Sequence, residues 1–251
     1  MDKITIKTAA EIENLKEGGH ILASVLRAVA KTVKPGVTPF ELDQLTRKLI
    51  TEAGAVPSFL HFGEPPYPAA LCVSVNEVVV HGIPGNKPLL EGDIVGLDCG
   101  LWYKKLCTDM AITVPVGKIS KELKKLIKVT QKSLALGLKQ VKAGNTTGDI
   151  GWAVQDYVEK NGFSVIRELT GHGVGYAVHE APAIPNFGKP HSGPVLEAGM
   201  VIAIEPMTAL GDWPIEILEN DWDVATIDAS YSAHFEHTVV VTEKGYQLLT
   251  V

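Results

Sequence analysis

The sequence predicts an α+β fold with antiparallel strands at its centre and helix pairs outside, and three observations carry that expectation. Helix-like and strand-like stretches are segregated along the chain and do not alternate singly. A helical plan in the first half returns in the second. Two apolar, strand-like runs in corresponding places each end on a carboxylate.

The elements follow in order. Thr8-Ala9-Ala10-Glu11 is a capping box, in which a Thr oxygen and a Glu carboxylate satisfy otherwise unpaired backbone N–H groups. Ile12, Leu15, Leu22, Leu26 and Val29 then recur at helical spacing until Lys34-Pro35-Gly36 stops the run. Thr38-Pro39-Phe40-Glu41 is a second box with proline at the first helical position, where its missing N–H costs nothing, and this helix ends near Gly54. Pro65-Pro66-Tyr67-Pro68 reads as a turn cluster and 182–194 as a Pro/Gly-rich loop.

Val33-Lys34-Pro35-Gly36-Val37-Thr38 lines up with Val141-Lys142-Ala143-Gly144-Asn145-Thr146. Leu42, Leu45, Leu49 and Gly54 match Ile150, Ala153, Tyr157 and Gly162. A related echo sets Gly92-Asp93-Ile94-Val95-Gly96-Leu97-Asp98 against Gly199-Met200-Val201-Ile202-Ala203-Ile204-Glu205. Two related halves about a pseudo-twofold axis explain these matches, and a site between them would receive one carboxylate from each. No low-complexity linker divides the chain, so residues 1–251 read as one domain.

With 251 residues, 45% hydrophobic and 21% charged, the composition is that of an ordinary globular protein and excludes disorder. A formal net charge of −6 argues against nucleic acid or an anionic membrane as the main partner. Cys72, Cys99 and Cys107 have no zinc-type spacing and form no disulfide framework. The charged N-terminus lacks the apolar core of a signal peptide, and no run approaches the roughly 18 apolar residues of a membrane span. A reducing, cytoplasmic setting is expected.

The chain has no GxxxxGK[ST], strand-linked GxGxxG, GxSxG or HExxH. What stands out is a set of acids and histidines in apolar or glycine-rich stretches. Asp98 ends one strand-like run, and a hairpin turning at Trp102-Tyr103-Lys104-Lys105 would bring Asp109 beside it. Burying two adjacent aspartates is unfavourable unless a cation neutralises them. Glu205 ends the most apolar strand candidate, and Glu236 sits in His234-Phe235-Glu236-His237-Thr238, where alternation puts Glu236 and Thr238 on one face. His172 lies in a glycine-rich loop, Gly171-His172-Gly173-Val174-Gly175, with His179 shortly after; His81 ends Val78-Val79-Val80 before a turn. His20, His61, His191, His234 and His237 are expected to be structural or solvated. Four carboxylates and one histidine suit two divalent ions sharing bridging carboxylates. Such a pair activates a bridging water and stabilises a developing oxyanion, which implies hydrolysis of either a peptide or a phosphate ester.

Taken in order and spacing, Asn76-Glu77-Val78-Val79-Val80-His81-Gly82-Ile83-Pro84, Asp98, Asp109, Gly171-His172-Gly173-Val174-Gly175, His179, Glu205-Pro206-Met207 and Phe235-Glu236-His237-Thr238 resemble the type I methionine aminopeptidases over nearly the whole chain. The resemblance implies the pita-bread fold, with its internal pseudo-twofold. It implies Asp98 on one metal, His172 and Glu205 on the other, and Asp109 and Glu236 bridging. His179 would donate to the carbonyl oxygen as it becomes an oxyanion, His81 would sit near the scissile nitrogen, and Glu205 would also handle protons. Tyr67, Cys72 and Trp222 fall, by position, around the methionine side chain of the substrate. The implied cofactor is two divalent ions (Co, Mn, Fe or Zn), and the implied substrates are the N-terminal methionines of peptides and nascent proteins, handled by a monomer.

Departures from the family pattern cluster near the pocket. Val178 and Leu169 stand where aromatic residues are frequent, His234 replaces a frequent glutamine, Phe187 deviates modestly, and FGEPPYP lengthens the pocket loop. Val178 is expected to widen one wall of the pocket. A proline-specific aminopeptidase or dipeptidase on the same fold is the nearest alternative, and a non-catalytic peptide-binding homologue the other. The first usually carries an additional N-terminal domain; the second is disfavoured by a full ligand set. Lys121, Lys124, Lys125 and Lys128 share one helical face, which reads as solvated surface in preference to a transient ribosome-docking patch.

Overall fold

The computed structural model describes residues 3–251. Helices α1 (Ala9–Ala30) and α2 (Pro39–Glu52) open the first half, followed by strands β1 (Val56–Pro57), β2 (Cys72–Val75), β3 (Val78–Val80), β4 (Ile94–Tyr103) and β5 (Leu106–Pro115). The second half begins with α3 (Lys121–Leu138) and α4 (Thr147–Lys160). It continues through β6 (Ser164–Val165), β7 (Thr170–Gly173), β8 (Glu180–Pro185), β9 (Val201–Ile204), β10 (Met207–Ala209), β11 (Ile215–Ile217), β12 (Val224–Thr226), β13 (Ser232–His234), β14 (His237–Thr242) and β15 (Gly245–Leu248). Both predicted capping boxes form at Thr8/Glu11 and Thr38/Glu41, and a third, Thr146/Asp149, opens α4 where the repeat places it. No described helix is long and apolar enough to cross a membrane.

All described strand pairs are antiparallel. In the first half β4 pairs with β1, β2 and β5; the second half has a five-stranded sheet ordered β15-β14-β9-β7-β8. Leu22, Leu26, Val29, Leu42 and Ile50 from α1 and α2 bury against Val95, Leu97 and Leu101 of β4. Leu134, Leu138 and Ile150 from α3 and α4 do the same against Ile202, Ile204 and Val239. Helix pairs therefore shield both sheets, and their apolar burial is the main driving force for the arrangement.

The duplication extends to single backbone bonds. Gly36 (φ 92°) donates to Leu89 at 2.8 Å, and its counterpart Gly144 (φ 88°) donates to Leu196 at 2.9 Å. Gly92 (φ 104°) donates to Val116 at 3.0 Å and Gly199 (φ 91°) to Val241 at 2.9 Å, each just before the strand that leads to an acid. These left-handed conformations favour glycine, which is why the residue recurs at equivalent places. Between the halves, threonine hydroxyls replace a regular ladder. Thr238 Oγ1 accepts from Asp109 N at 2.9 Å and donates to Asp109 O at 2.7 Å; Thr113 Oγ1 accepts from His234 N at 2.9 Å and donates to His234 O at 2.8 Å.

The structure corrects several expectations in detail. Trp102 and Tyr103 remain in β4; the hairpin turns on Lys104 and Lys105 alone, both with positive φ. Asp98 faces Ala111 and Asp109 faces Gly100, so the two acids are diagonal neighbours and not opposed across the ladder. Residues 182–185 belong to β8, an edge strand, where proline interrupts no inner ladder. Phe235 and Glu236 lie in a break between β13 and β14, so strand alternation does not govern Glu236. His172 is on β7 within a sheet and not on a loop. Its flanking glycines serve close packing, since a Cβ at Gly171 would lie 2.4 Å from the Ala203 carbonyl oxygen and one at Gly173 would lie 2.3 Å from that of Ala181.

Gly171→Ala should therefore push β7 from β9 and destabilise the protein by about 1–3 kcal/mol, a loss of several degrees in Tm. Gly245→Ala, whose added carbon meets nothing within 4 Å, is the control and should leave Tm unchanged. Equal melting temperatures for the two variants would show that the close approach at β7 is not a real constraint.

Candidate metal centre

A cavity of about 360 Å³ opens between the halves, and every candidate residue singled out in the sequence lines it: Asp98, Asp109, His172, Glu205, Glu236, His81, His179, Tyr67, Cys72 and Trp222. The five proposed ligands come from five local settings. Asp98 and Asp109 are held on β4 and β5, His172 on β7, Glu205 just after β9, and Glu236 in the break before β14. Glu236 N donates to the Ala111 carbonyl at 2.8 Å, which ties its turn to β5. Asn186 Nδ2 donates to the Glu205 carbonyl at 2.9 Å. The first half supplies two acids and the second two acids and a histidine, more than the one carboxylate each that the repeat suggested.

Ligand atoms of Asp109, His172 and Glu236 lie within 4.8 Å of one another. Glu205 Oε1 is 3.4 Å from His172 Nε2. His172 Nδ1 lies 2.8 Å from the Gly173 carbonyl oxygen, so that nitrogen carries the proton and Nε2 keeps its lone pair. Lone pairs of an imidazole and a carboxylate thus face each other across a gap suited to a cation. Asp98 Oδ1 and Glu236 Oε1 are buried without a hydrogen-bond partner among the described residues. Orphaned oxygens at two of four crowded acids, with the free lone pair of His172 beside them, fit divalent ions well.

Electrostatics point the same way. Burial raises the carboxyl groups of Asp98, Glu205 and Glu236 well above the usual range, and the neighbouring acids raise them further. Asp109 is pushed up to about 7 by burial, against the pull of the Met110 N–H and Asp98. Burial keeps the imidazoles neutral: His172 falls to about 3 and His81 to about 4, each also depressed by the charge of His179, while His179 itself is lowered by burial alone.

His179 stands at the cavity mouth, its ring 4.5 Å from that of His172 and edge-on to Phe62 at 5.4 Å. The segment before it is anchored from beneath. Glu180 Oε1 accepts from Ala177 N at 3.1 Å and also from Tyr176 N, while Oε2 accepts from Thr5 Oγ1 at 2.5 Å and from the buried Lys7 at 2.6 Å. His81 takes a positive φ of 60° directly after β3. Its turn is pinned by Tyr67 Oη donating to the Gly82 carbonyl at 2.8 Å and by Ile83 N donating to Asp223 Oδ1 at 2.8 Å. Tyr67 packs edge-on against Trp222 at 5.0 Å, and Cys72 is the cross-strand neighbour of Asp98. Val178 is buried, and Phe59 and Phe62 line the same cavity, so aromatic walls are present beside the valine.

One residue expected to be merely structural belongs here. His234, 3% exposed, sets Nε2 3.5 Å from Glu205 Oε2. β13 ends at His234 and sets the ring beside Glu205, behind the cavity wall. Phe59, Phe62 and Met207 also line the cavity, Phe62 from the lengthened FGEPPYP loop and Met207 from the Glu205-Pro206-Met207 segment.

Fold and site together define a carboxylate-rich metallohydrolase built on a duplicated α+β core. The pattern of metallopeptidase family M24 matches residues 13–243, and the chain belongs to that family. It is 44% identical to a methionine aminopeptidase of Clostridium perfringens, covering 99% of each chain. It is also similar to the crystal structure of methionine aminopeptidase from Thermotoga maritima, with a TM-score of 0.96, 43% identity and 99% of each chain covered. The Xaa-Pro dipeptidase of Bacillus anthracis shares the fold at a TM-score of 0.78 and 27% identity, with 98% of this chain matching 61% of that one. The architecture is thus the pita-bread fold, and divalent metal is the cofactor class.

A carboxyl group whose folded pKa is raised favours the fold while protonated and loses that contribution as pH climbs through the raised value. The depressed histidines act in the opposite sense, but only below their ordinary value of 6.5. Between pH 7 and 9 the acids decide the sign. The Tm of metal-free protein should fall across that window as Asp98, Glu205 and Glu236 ionise, with Asp109, at about 7, contributing only at its lower edge, and saturating divalent ion should abolish the fall. A flat metal-free Tm from pH 7 to 9 would contradict the crowding of these acids.

Proposed function

We propose that this chain removes the N-terminal methionine from peptides and nascent proteins, with residues 1–251 acting as a single catalytic domain. The observation that carries the reading is the convergence of four buried acids and the lone pair of His172 on one cavity. Asp98 would hold one divalent ion, His172 and Glu205 a second, with Asp109 and Glu236 shared between them; Co, Mn, Fe and Zn all suit these donors. Bound there, the ions supply Lewis acidity, polarising the scissile carbonyl and rendering water nucleophilic near neutral pH.

The chain's own groups then divide the remaining work. His179, neutral because burial lowers its pKa, donates a hydrogen bond to the carbonyl oxygen as negative charge builds there. His81, held in place by the Tyr67–Gly82 bond, lies on the side of the departing amide nitrogen. Glu205, besides holding the ion, would handle a proton during turnover. Tyr67, Cys72, Trp222 and Phe59 form an aromatic and sulfur-lined wall for a flexible, polarizable thioether. The free amino terminus of the substrate would bind at the metal centre, which confines cleavage to the first residue. We read the working unit as a monomer in the cytoplasm. The exposed lysines of α3 are read as solvated surface, with transient ribosome docking as the alternative.

Met-Ala-Ser should be cut to free methionine, as followed by mass spectrometry. A chelator should stop the reaction and divalent ion restore it. His179→Ala should lower kcat on the order of 100- to 1000-fold while the metal content of the protein stays that of the parent. Chelator-resistant cleavage by metal-free protein, or release of residues only ahead of proline, would overturn the reading.

A further inference from the structure

Glu205 lies between two imidazoles, one with its proton committed to a backbone carbonyl and the other with its facing nitrogen otherwise unpartnered. His172 Nε2 is 3.4 Å from Oε1, and His234 Nε2 is 3.5 Å from Oε2. The His172 ring spends its proton on the Gly173 carbonyl through Nδ1, at 2.8 Å, so the nitrogen it turns to Glu205 is a lone pair. His234 Nε2 is buried with no hydrogen-bond partner among the described residues, and the Glu205 carboxylate is the acceptor within its reach. The ring cannot easily turn away. Thr113 Oγ1 accepts from His234 N and donates to His234 O, fixing the main chain from both sides, and β13 pairs His234 with Met207 beside the Glu205 turn. A buried nitrogen without a partner is unfavourable, and carrying the proton toward a carboxylate oxygen relieves it.

We propose that His234 is a positioning residue for the metal centre. Its Nε2–H donates to Oε2 of Glu205 and holds that carboxylate with Oε1 turned toward His172 and the cation. Glu205 is thereby asymmetric: one oxygen is held by the protein and the other is free to ligate. This rests on the metal-centre reading above and adds a residue to it. Groups that orient a metal ligand from behind typically change metal affinity 10- to 100-fold when removed.

Two measurements test it on the whole chain. In zinc-loaded, diamagnetic protein labelled with 15N-histidine, the His234 ring signals are assigned by their disappearance in His234→Gln. Nε2 should show a directly bonded proton, whereas an unprotonated or zinc-coordinated Nε2 would overturn the proposal. In chelator competition, His234→Leu should weaken zinc binding about 10- to 100-fold, while His234→Gln, whose amide N–H can reach the same oxygen, should return it toward the parent. Melting of the metal-free variants separates this effect from general loss of fold, and if His234→Leu does not fold, the NMR result on the parent decides. Parent protein that binds no zinc would defeat the metal-centre reading itself. Parent and His234→Leu proteins that bind zinc equally would defeat only the role of His234.

Discussion

Mutual repulsion among Asp98, Asp109, Glu205 and Glu236 is the constraint on which the rest of the structure depends. Four carboxyl groups face one buried cavity, and burial and neighbouring charge raise each of them except Asp109, which burial alone raises. In a hydrophobic interior such a cluster is tolerable only when protonated or neutralised by cations. Near neutral pH the second option is the one compatible with chemistry. The neutral imidazole of His172, with its proton committed to a backbone carbonyl, adds a free lone pair beside these acids.

Holding four like charges together requires a scaffold that cannot relax away from them, and the duplication supplies it. Each half presents an apolar strand that leads to an acid, Asp98 within β4 and Glu205 just after β9, and is backed by a helix pair. The halves meet through Thr113 and Thr238, whose hydroxyls each make two main-chain bonds across the junction, at Asp109 and His234, the same residues that enter the site. Rigidity is therefore concentrated at the seam. The two histidines proposed to act on the substrate are fastened differently: His179 follows a loop tied to Lys7 through Glu180, and His81 sits on a turn pinned by Tyr67 and Asp223.

Much of this was legible in the sequence, and for identifiable reasons. Capping boxes, glycine stops and the repeat reveal themselves in local chemistry, so α1, α2, α4 and the strands leading to Asp98 and Glu205 follow from residue type and the repeat, although β4 runs on past Asp98 to Tyr103. The resemblance to methionine aminopeptidases supplied the pairing of distant acids that no local pattern contains. What escaped depends on tertiary geometry. His172 looked like a loop residue because its glycines signal freedom in sequence, yet in the fold they permit close strand packing. Glu236 seemed to obey strand alternation because the break between β13 and β14 leaves no proline or glycine to mark it. His234 was passed over because its importance lies in an oxygen of Glu205 reached only across the fold.

The most direct test of a cation-neutralised centre is anomalous diffraction from crystals of the protein equilibrated with Mn. Two anomalous peaks roughly 3.5–4 Å apart are expected. They should be bounded by Asp98, Asp109, His172, Glu205 and Glu236, with His172 Nε2 and Glu205 Oε1 on the same ion. Absence of any peak in the cavity, or a peak that leaves these carboxylates unligated, would contradict it.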